Sequence, residues 1–232
     1  MARTVARDHG AKRAQILKSA ARVFAAEGFD RASMTQLARA CGISKANVYH
    51  YYDSKDALLF DILETYLRGL RDRICGLALA GLTPEERLRV TLREILIAYQ
   101  GSDDEHRVQM AGLDRLPEAQ RRLLRGYQGD LVRHLSAILA ALAPAALAHD
   151  PARLRAVTMS VFGMLNWHFM WTRGADARAR EEYAALVADL TLGGIRGLVP
   201  RAATGATVAT GVTGVTEGSA RTRAQAIRGK AR

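Results

Sequence analysis

Cysteine is scarce in this chain of 232 residues. Cys41 and Cys75 stand far apart, match no metal or redox spacing, and are expected to be reduced, packed apolar side chains. Long apolar runs are missing too. The most apolar window, residues 135–148, is short and broken by Pro144, below the roughly 18 uninterrupted residues a spanning helix needs. Residues 1–13 carry no apolar stretch of the secretory type. A cytoplasmic protein with no membrane partner is expected. Catalytic signatures are equally lacking. There is no Gly-x-Ser-x-Gly elbow, no Gly-x-Gly-x-x-Gly after a strand and no His-Glu-x-x-His, and the six histidines never sit four apart. Asp103-Asp104-Glu105-His106 could be called a metal cluster, but a solvated loop entering a helix explains it better. Neither metal nor cofactor is expected, and an enzyme is the reading from another class that these absences oppose.

Charge is present in excess and unevenly. The net charge is +11, yet the first 55 residues hold 10 Lys and Arg against 4 Asp and Glu, and residues 201–232 hold 6 against 1. The middle is therefore neutral. Basic ends on a neutral body suggest a polyanion-binding module joined to something that binds differently. A non-specific nucleoid protein would share the basic ends but would not need the large apolar C-terminal part.

Up to residue 199 apolar residues recur at i, i+3 and i+4, with no convincing alternation, so the fold class is all-α with about nine helices. Expected helices cover about 12–27, 34–41 (a Ser33-x-x-Gln36 capping box), 45–51, a long one capped by Ser54, 84–100, 106–115, 117–143, 151–173 and 177–198. The Gly, Ala, Thr and Val text beyond Pro200 has no period. Three segments follow: residues 1–53 with a basic arm, 54–199, and a disordered basic tail, 200–232.

Residues 37–51 fit a helix-turn-helix. Two short helices crossing steeply need a small residue at the crossing, a turn residue tolerant of positive φ, and a small apolar core. Ala38, Gly42 and the set Leu37, Cys41, Ile43, Val48 and Tyr51 supply these in turn. The second helix keeps a polar outer face short enough for a major groove.

The chain here resembles the tetracycline-repressor (TetR) family of bacterial transcriptional regulators. The resemblance lies in Ile16-Leu17, Ala20, Phe24 and Gly28-Phe29, then Ser33-Met34-Thr35, Leu37-Ala38 and Gly42-Ile43-Ser44-Lys45, and above all in Val48-Tyr49-His50-Tyr51-Tyr52, Ser54-Lys55 and Leu58. Tyr51-Tyr52 stands where the family pattern commonly has His-Phe. The resemblance implies a homodimer, each subunit reading half of a double-stranded operator with its third helix, and a divergent C-terminal domain that binds a small-molecule effector. The DNA-binding set is Thr35, Ser44, Lys45, Ala46, Asn47, Tyr49, His50 and Lys55. Lys45 and Asn47 suit base edges; Tyr49, Thr35 and Lys55 suit phosphates; His50 suits either. Arg3, Arg7, Lys12 and Arg13 form an arm for the adjacent groove. For each side chain the alternative is a solvated helix face.

A second resemblance is to TetR regulators of phenylacetate and related acyl-CoA catabolism, the PaaR type. It rests on Phe162-Gly163-Met164-Leu165-Asn166-Trp167, Phe169, Trp171, Glu181-Glu182 and the run from Asp114 to Arg121. It implies a coenzyme A thioester as effector; a hydrophobic drug controlling an efflux system is the alternative. The effector-binding set is Met110, Tyr127, Phe162, Asn166, Trp167 and Met170, the alternative for the helix carrying Asn166 and Trp167 being burial by dimer packing; Arg121, Arg122 and Arg125 could meet coenzyme phosphates, though an exposed basic face is the favoured reading of them. Gly163, Leu186, Leu190 and Gly194 form the dimer set, because small residues allow close helix approach. The long helix from Ser54 is expected to be the only link between recognition helix and effector domain.

Overall fold

The computed structural model describes residues 2–172 and 174–198, with side chains from His9 onward. The tail expected at 200–232 and the arm side chains Arg3 and Arg7 lie outside the described residues. Within them the chain forms ten α-helices and two short 3₁₀ turns, with no strand. The helices are α1 (Ala2–Glu27), α2 (Met34–Cys41), α3 (Lys45–Tyr51), α4 (Lys55–Cys75), α5 (Pro84–Ala98), α6 (Asp103–Gly112), α7 (Glu118–Leu142), α8 (Ala145–Ala148), α9 (Pro151–Trp167) and α10 (Ala177–Ile195). No described helix is long and apolar enough to cross a membrane.

Local chemistry sets most of the boundaries. Ser33 and Gln36 close a reciprocal capping box on α2, and Thr83 and Glu86 close another on α5 ahead of Pro84. Such caps are worth about 1 kcal/mol each. Gly28 and Gly42 take φ +82° and +65°, backbone that side-chain-bearing residues resist, and so end α1 and α2.

Four boundaries differ from expectation. α1 does not start near residue 12 but runs from Ala2, because this stretch is rich in Ala and Arg, strong helix formers. The His9 ring stacks on Tyr51 of α3 at 4.8 Å, and the stretch expected as a groove-tracking arm is helical from Ala2. α6 opens at Asp103, its three leading acids complementing the helix N-terminus. α9 stops at Trp167 and tightens into a 3₁₀ turn at His168–Met170, where a helix to about 173 was expected. A four-residue α8 follows Pro144, which raises the count from about nine to ten.

Two cores result. One gathers α1 to α3 around Ile16, Phe24, Leu37 and Val48. It also takes the first half of α4, through Leu58, Leu59, Ile62, Leu63 and Leu67, together with Val108 of α6, Leu116 just past the following 3₁₀ turn and Leu124 of α7. The other joins Leu70 and Ile74 of α4 to α5, α7, α9 and α10. α4 is therefore shared along its length. It is not the sole link: α6 packs on α1, where the Lys18 ammonium bonds the Glu105 carboxylate at 2.9 Å and the Gly101 carbonyl.

Candidate functional site

The helix-turn-helix is built as its spacing requires. The Gly42 and Ile43 N–H groups donate back to carbonyls of α2, turning the chain, and the Ser44 hydroxyl accepts from the Asn47 N–H at 3.1 Å, starting α3. Val48 is fully buried, which rolls the opposite face outward. Ser44, Lys45, Ala46, Asn47, Tyr49 and His50 are all exposed there, and Thr35 is exposed in the first turn of α2. The Lys45 ammonium stands 5.8 Å from the Tyr49 ring. Arg39, which sequence reasoning passed over, lies one turn from Thr35 on the same exposed face and makes no ion pair with a described residue. Its spacing to Thr35 was the signal.

Three residues expected to contact DNA have partners within the protein. Lys55 donates to the carbonyls of Phe29 (3.0 Å), Asp30 (3.3 Å) and Ala32 (2.8 Å) and sits over the Phe29 ring. An ammonium has three donors. All three are engaged, so Lys55 staples the loop after α1 to α4 and is not the phosphate clamp expected. Arg13 bonds Asp61 of α4, which also accepts from the Tyr52 hydroxyl. Burial and this carboxylate push the Tyr52 phenol far above its ordinary value. Lys12 bonds Gln15.

The C-terminal helices enclose a cavity of about 350 Å³. Its walls come from Leu67 and Leu70 of α4, Leu131 of α7 and Phe162 of α9. Asn166 is inside, its Oδ1 accepting from the Tyr99 hydroxyl at 2.7 Å. Arg125, Arg155 and Met159 also line it. Arg125 is paired with Asp114 at 3.1 Å, while Arg155 is exposed and makes no ion pair with a described residue. Behind Tyr99, His106 is buried, with its Nδ1 at 3.0 Å from the Tyr66 hydroxyl and its Nε2 unpartnered among the described residues. Burial lowers its pKa, so it is neutral, and burial raises the Tyr66 and Tyr99 phenols.

Of the six effector residues expected, Phe162 and Asn166 line this cavity and four do not. Met110, Trp167 and Met170 are about half exposed, and Tyr127 packs on α4 with its hydroxyl 3.3 Å from Glu64 and its ring under Arg71. The helical period explains the division: Phe162 and Asn166 share a side at i, i+4, while Trp167 is rotated 100° away. Tyr99 and Arg155 were missed; Tyr99 lies just past α5 and gives no local pattern, whereas Arg155 precedes Met159 by one turn. Arg121 is tied to Glu118 at 2.6 Å and Arg122 lies 4.0 Å from the same residue, so neither reaches the cavity wall.

The expected dimer residues Gly163, Leu186, Leu190 and Gly194 are all exposed, and a Cβ added at Gly163 or Gly194 would meet nothing. Asp103, Asp104 and Glu105 go to three different cations, Arg180, Arg107 and Lys18, while His106 turns inward. No group of three or more described His, Cys, Asp or Glu could hold a metal ion.

Residues 16–62 match the family model of bacterial regulatory proteins of the tetR family, and residues 81–195 match that of the tetracyclin repressor-like C-terminal domain. The HTH-type transcriptional regulator BetI of Rhizobium meliloti (strain 1021) is 32% identical over 139 residues, 58% of this chain and 67% of that protein. A TetR-family transcriptional regulator from Bordetella parapertussis 12822 superposes with TM-score 0.73 at 33% identity, over 82% of this chain and 98% of that one. AibR, solved with isovaleryl coenzyme A and operator DNA, shares the fold with TM-score 0.65 at 23% identity, over 77% of this chain and 97% of its own.

Proposed function

The chain belongs to the TetR family of transcriptional regulators and is a DNA-binding regulator; from that premise we propose a homodimeric repressor released by an acyl-CoA thioester. Each subunit presents α3 to half of a near-palindromic operator. Lys45 and Asn47 meet base edges, Tyr49, Thr35 and Arg39 meet phosphates, and His50 borders both. Counterion release gives such binding a steep salt dependence, and base contacts give it sequence preference.

The observation that carries the ligand class is the make-up of the cavity. Its apolar side, Leu67, Leu70, Leu131 and Phe162, suits an acyl chain. The Tyr99–Asn166 pair suits a thioester carbonyl or a pantetheine amide. Arg155, unpaired among the described residues and exposed beside Met159, suits the coenzyme phosphates outside. AibR is a fold relative whose structure holds isovaleryl coenzyme A. The PaaR-type sequence resemblance points to the same class. Release follows because Leu67 and Leu70 sit on α4 next to the core that holds α3, and Gln109 sits on α6, which packs on α1. A ligand that spreads α4 and α6 need favour the released form by only about 1–3 kcal/mol.

The test is operator release. Isovaleryl-CoA, phenylacetyl-CoA and a longer fatty acyl-CoA are titrated into the protein–operator complex beside the matching free acids. Release by a thioester at micromolar concentration, with the free acid inert, supports the reading. Release by hydrophobic drugs alone replaces it with control of an efflux system.

A further inference from the structure

The cavity opens beside the exposed face of α9, and Met159 belongs to both: it lines the cavity and is 45% exposed. Along that face lie Gly163, with open space where a side chain would stand, and Trp167, 48% exposed. Met159 and Trp167 are each four residues, about one turn, from Gly163 on opposite sides. This pattern is self-complementary. When two copies of a helix cross antiparallel about a two-fold axis, residues equidistant from the crossing meet. A glycine at the crossing lets the backbones approach closely, and bulky residues one turn away then interleave. Met170, half exposed just past α9, falls by the same symmetry near Ala156, a small exposed residue.

We propose that two copies cross α9 at Gly163, and that Trp167 of the partner subunit lies over Met159 and closes the mouth of the cavity. The effector site is then complete only in the dimer, and a bound ligand touches both subunits. This rests on the homodimer read above and deepens it: large apolar side chains that one copy leaves in solvent become the lid of the other copy's cavity. Ligand occupancy and the angle between subunits are thereby coupled through one contact, in addition to α4.

Cysteine cross-linking tests the crossing without any ligand. In a Cys75→Ser background, which removes the exposed thiol and leaves buried Cys41, Met159→Cys is combined with Trp167→Cys. Eight residues along one helix separate the two by about 12 Å, beyond disulfide reach, so any bond between them joins two subunits. The double variant should form covalent dimer at least about tenfold faster than either single variant, whose thiols lie off the axis. A dimer intact by sedimentation that does not cross-link, or a single variant that cross-links as fast, overturns the proposal.

If the double variant is monomeric, the Trp171→Phe chain decides, because Trp167 is then its one tryptophan. Its emission should shift to the blue and lose acrylamide quenching as dimer forms. Emission that stays at the exposed wavelength in a sedimenting dimer overturns the proposal. Release of a bound acyl-CoA from the Trp167→Ala dimer should be about tenfold faster, an effect on dissociation; unchanged release removes the lid. Failure of every acyl-CoA to bind would sink the ligand reading alone and leave the cross-linking result standing.

Discussion

The parts of the chain before and after residue 70 differ in how they use polar groups. Around the helix-turn-helix the polar side chains are spent: Ser33 with Gln36, Ser44 on the start of α3, Tyr52 and Arg13 on Asp61, Lys55 on three carbonyls. Beyond residue 70 the described structure leaves Thr91 Oγ1, His106 Nε2, His134 Nε2 and His168 Nδ1 buried without partners. Each such group costs about 1–3 kcal/mol. The same half holds the Tyr99–Asn166 cavity and the half-exposed Met159, Trp167, Met170 and Leu190. A DNA reader must keep one shape before and after binding. On the function proposed above, the effector domain needs room and a second arrangement to move into, and unmet hydrogen-bond capacity fits that need.

The largest expected effect comes from breaking the finished half. Lys55→Met leaves the Phe29, Asp30 and Ala32 carbonyls without their charged donor and should destabilise the protein by about 1.5–3 kcal/mol, read as a lower urea midpoint. Operator affinity should fall for every sequence alike, because the loop that positions α2 loosens. The salt slope separates this from a phosphate contact: it should stay unchanged, whereas losing one phosphate contact lowers it by about 0.9.

That residue also marks where the sequence is readable. The helix-turn-helix depends on contacts within about twenty residues, so the spacing of Ala38, Gly42, Ser44 and Val48 carries its geometry. Lys55 meets carbonyls more than twenty residues earlier, and no local pattern distinguishes such a lysine from one facing a phosphate. The ligand cavity is less legible still. Phe162 and Asn166 share a helix side and could be grouped, but which side faces inward depends on α4 and α7. Trp167 and Met170 belong to the same apolar stretch yet stand about half exposed, which residue type alone does not foretell. Arg13 is held by Asp61, 48 residues further along, a partner that no local pattern in the basic N-terminal stretch reveals.

The next effect is smaller and concerns pH. Burial lowers the pKa of His106, His134 and His168 below the ordinary 6.5, so the folded protein keeps them neutral. For a base with a lowered folded pKa, the unfolded chain binds more protons below 6.5. The stability these residues protect is therefore intact above that pH and drains as pH falls from there toward the lowered folded values. The urea midpoint should drop on acidification from about pH 7.5 to 5.5, before carboxylates titrate. His106→Gln should flatten that drop. An unchanged slope would assign it to the other two histidines.

The smallest effect on folding should come from Tyr99→Phe, which removes the donor to Asn166 but leaves the ring against His106. Asn166 is only half-buried and lines the cavity, so its amide can turn to solvent there, and the stability change should stay within about 1 kcal/mol. The effect on the regulator should be larger than that figure suggests. In the wild-type chain the Tyr99 hydroxyl fixes which way the Asn166 amide points. A ligand carbonyl then finds a donor already oriented, and less ordering has to be done on binding. Without the hydroxyl that advantage goes, and about tenfold more thioester should be needed to release operator, while operator affinity in its absence is unchanged. Titrating operator complexes of both proteins with the same acyl-CoA reads both quantities. Equal half-release concentrations would mean that the polar pair serves the packing of α5 on α9 and that recognition lies at the apolar wall and Arg155.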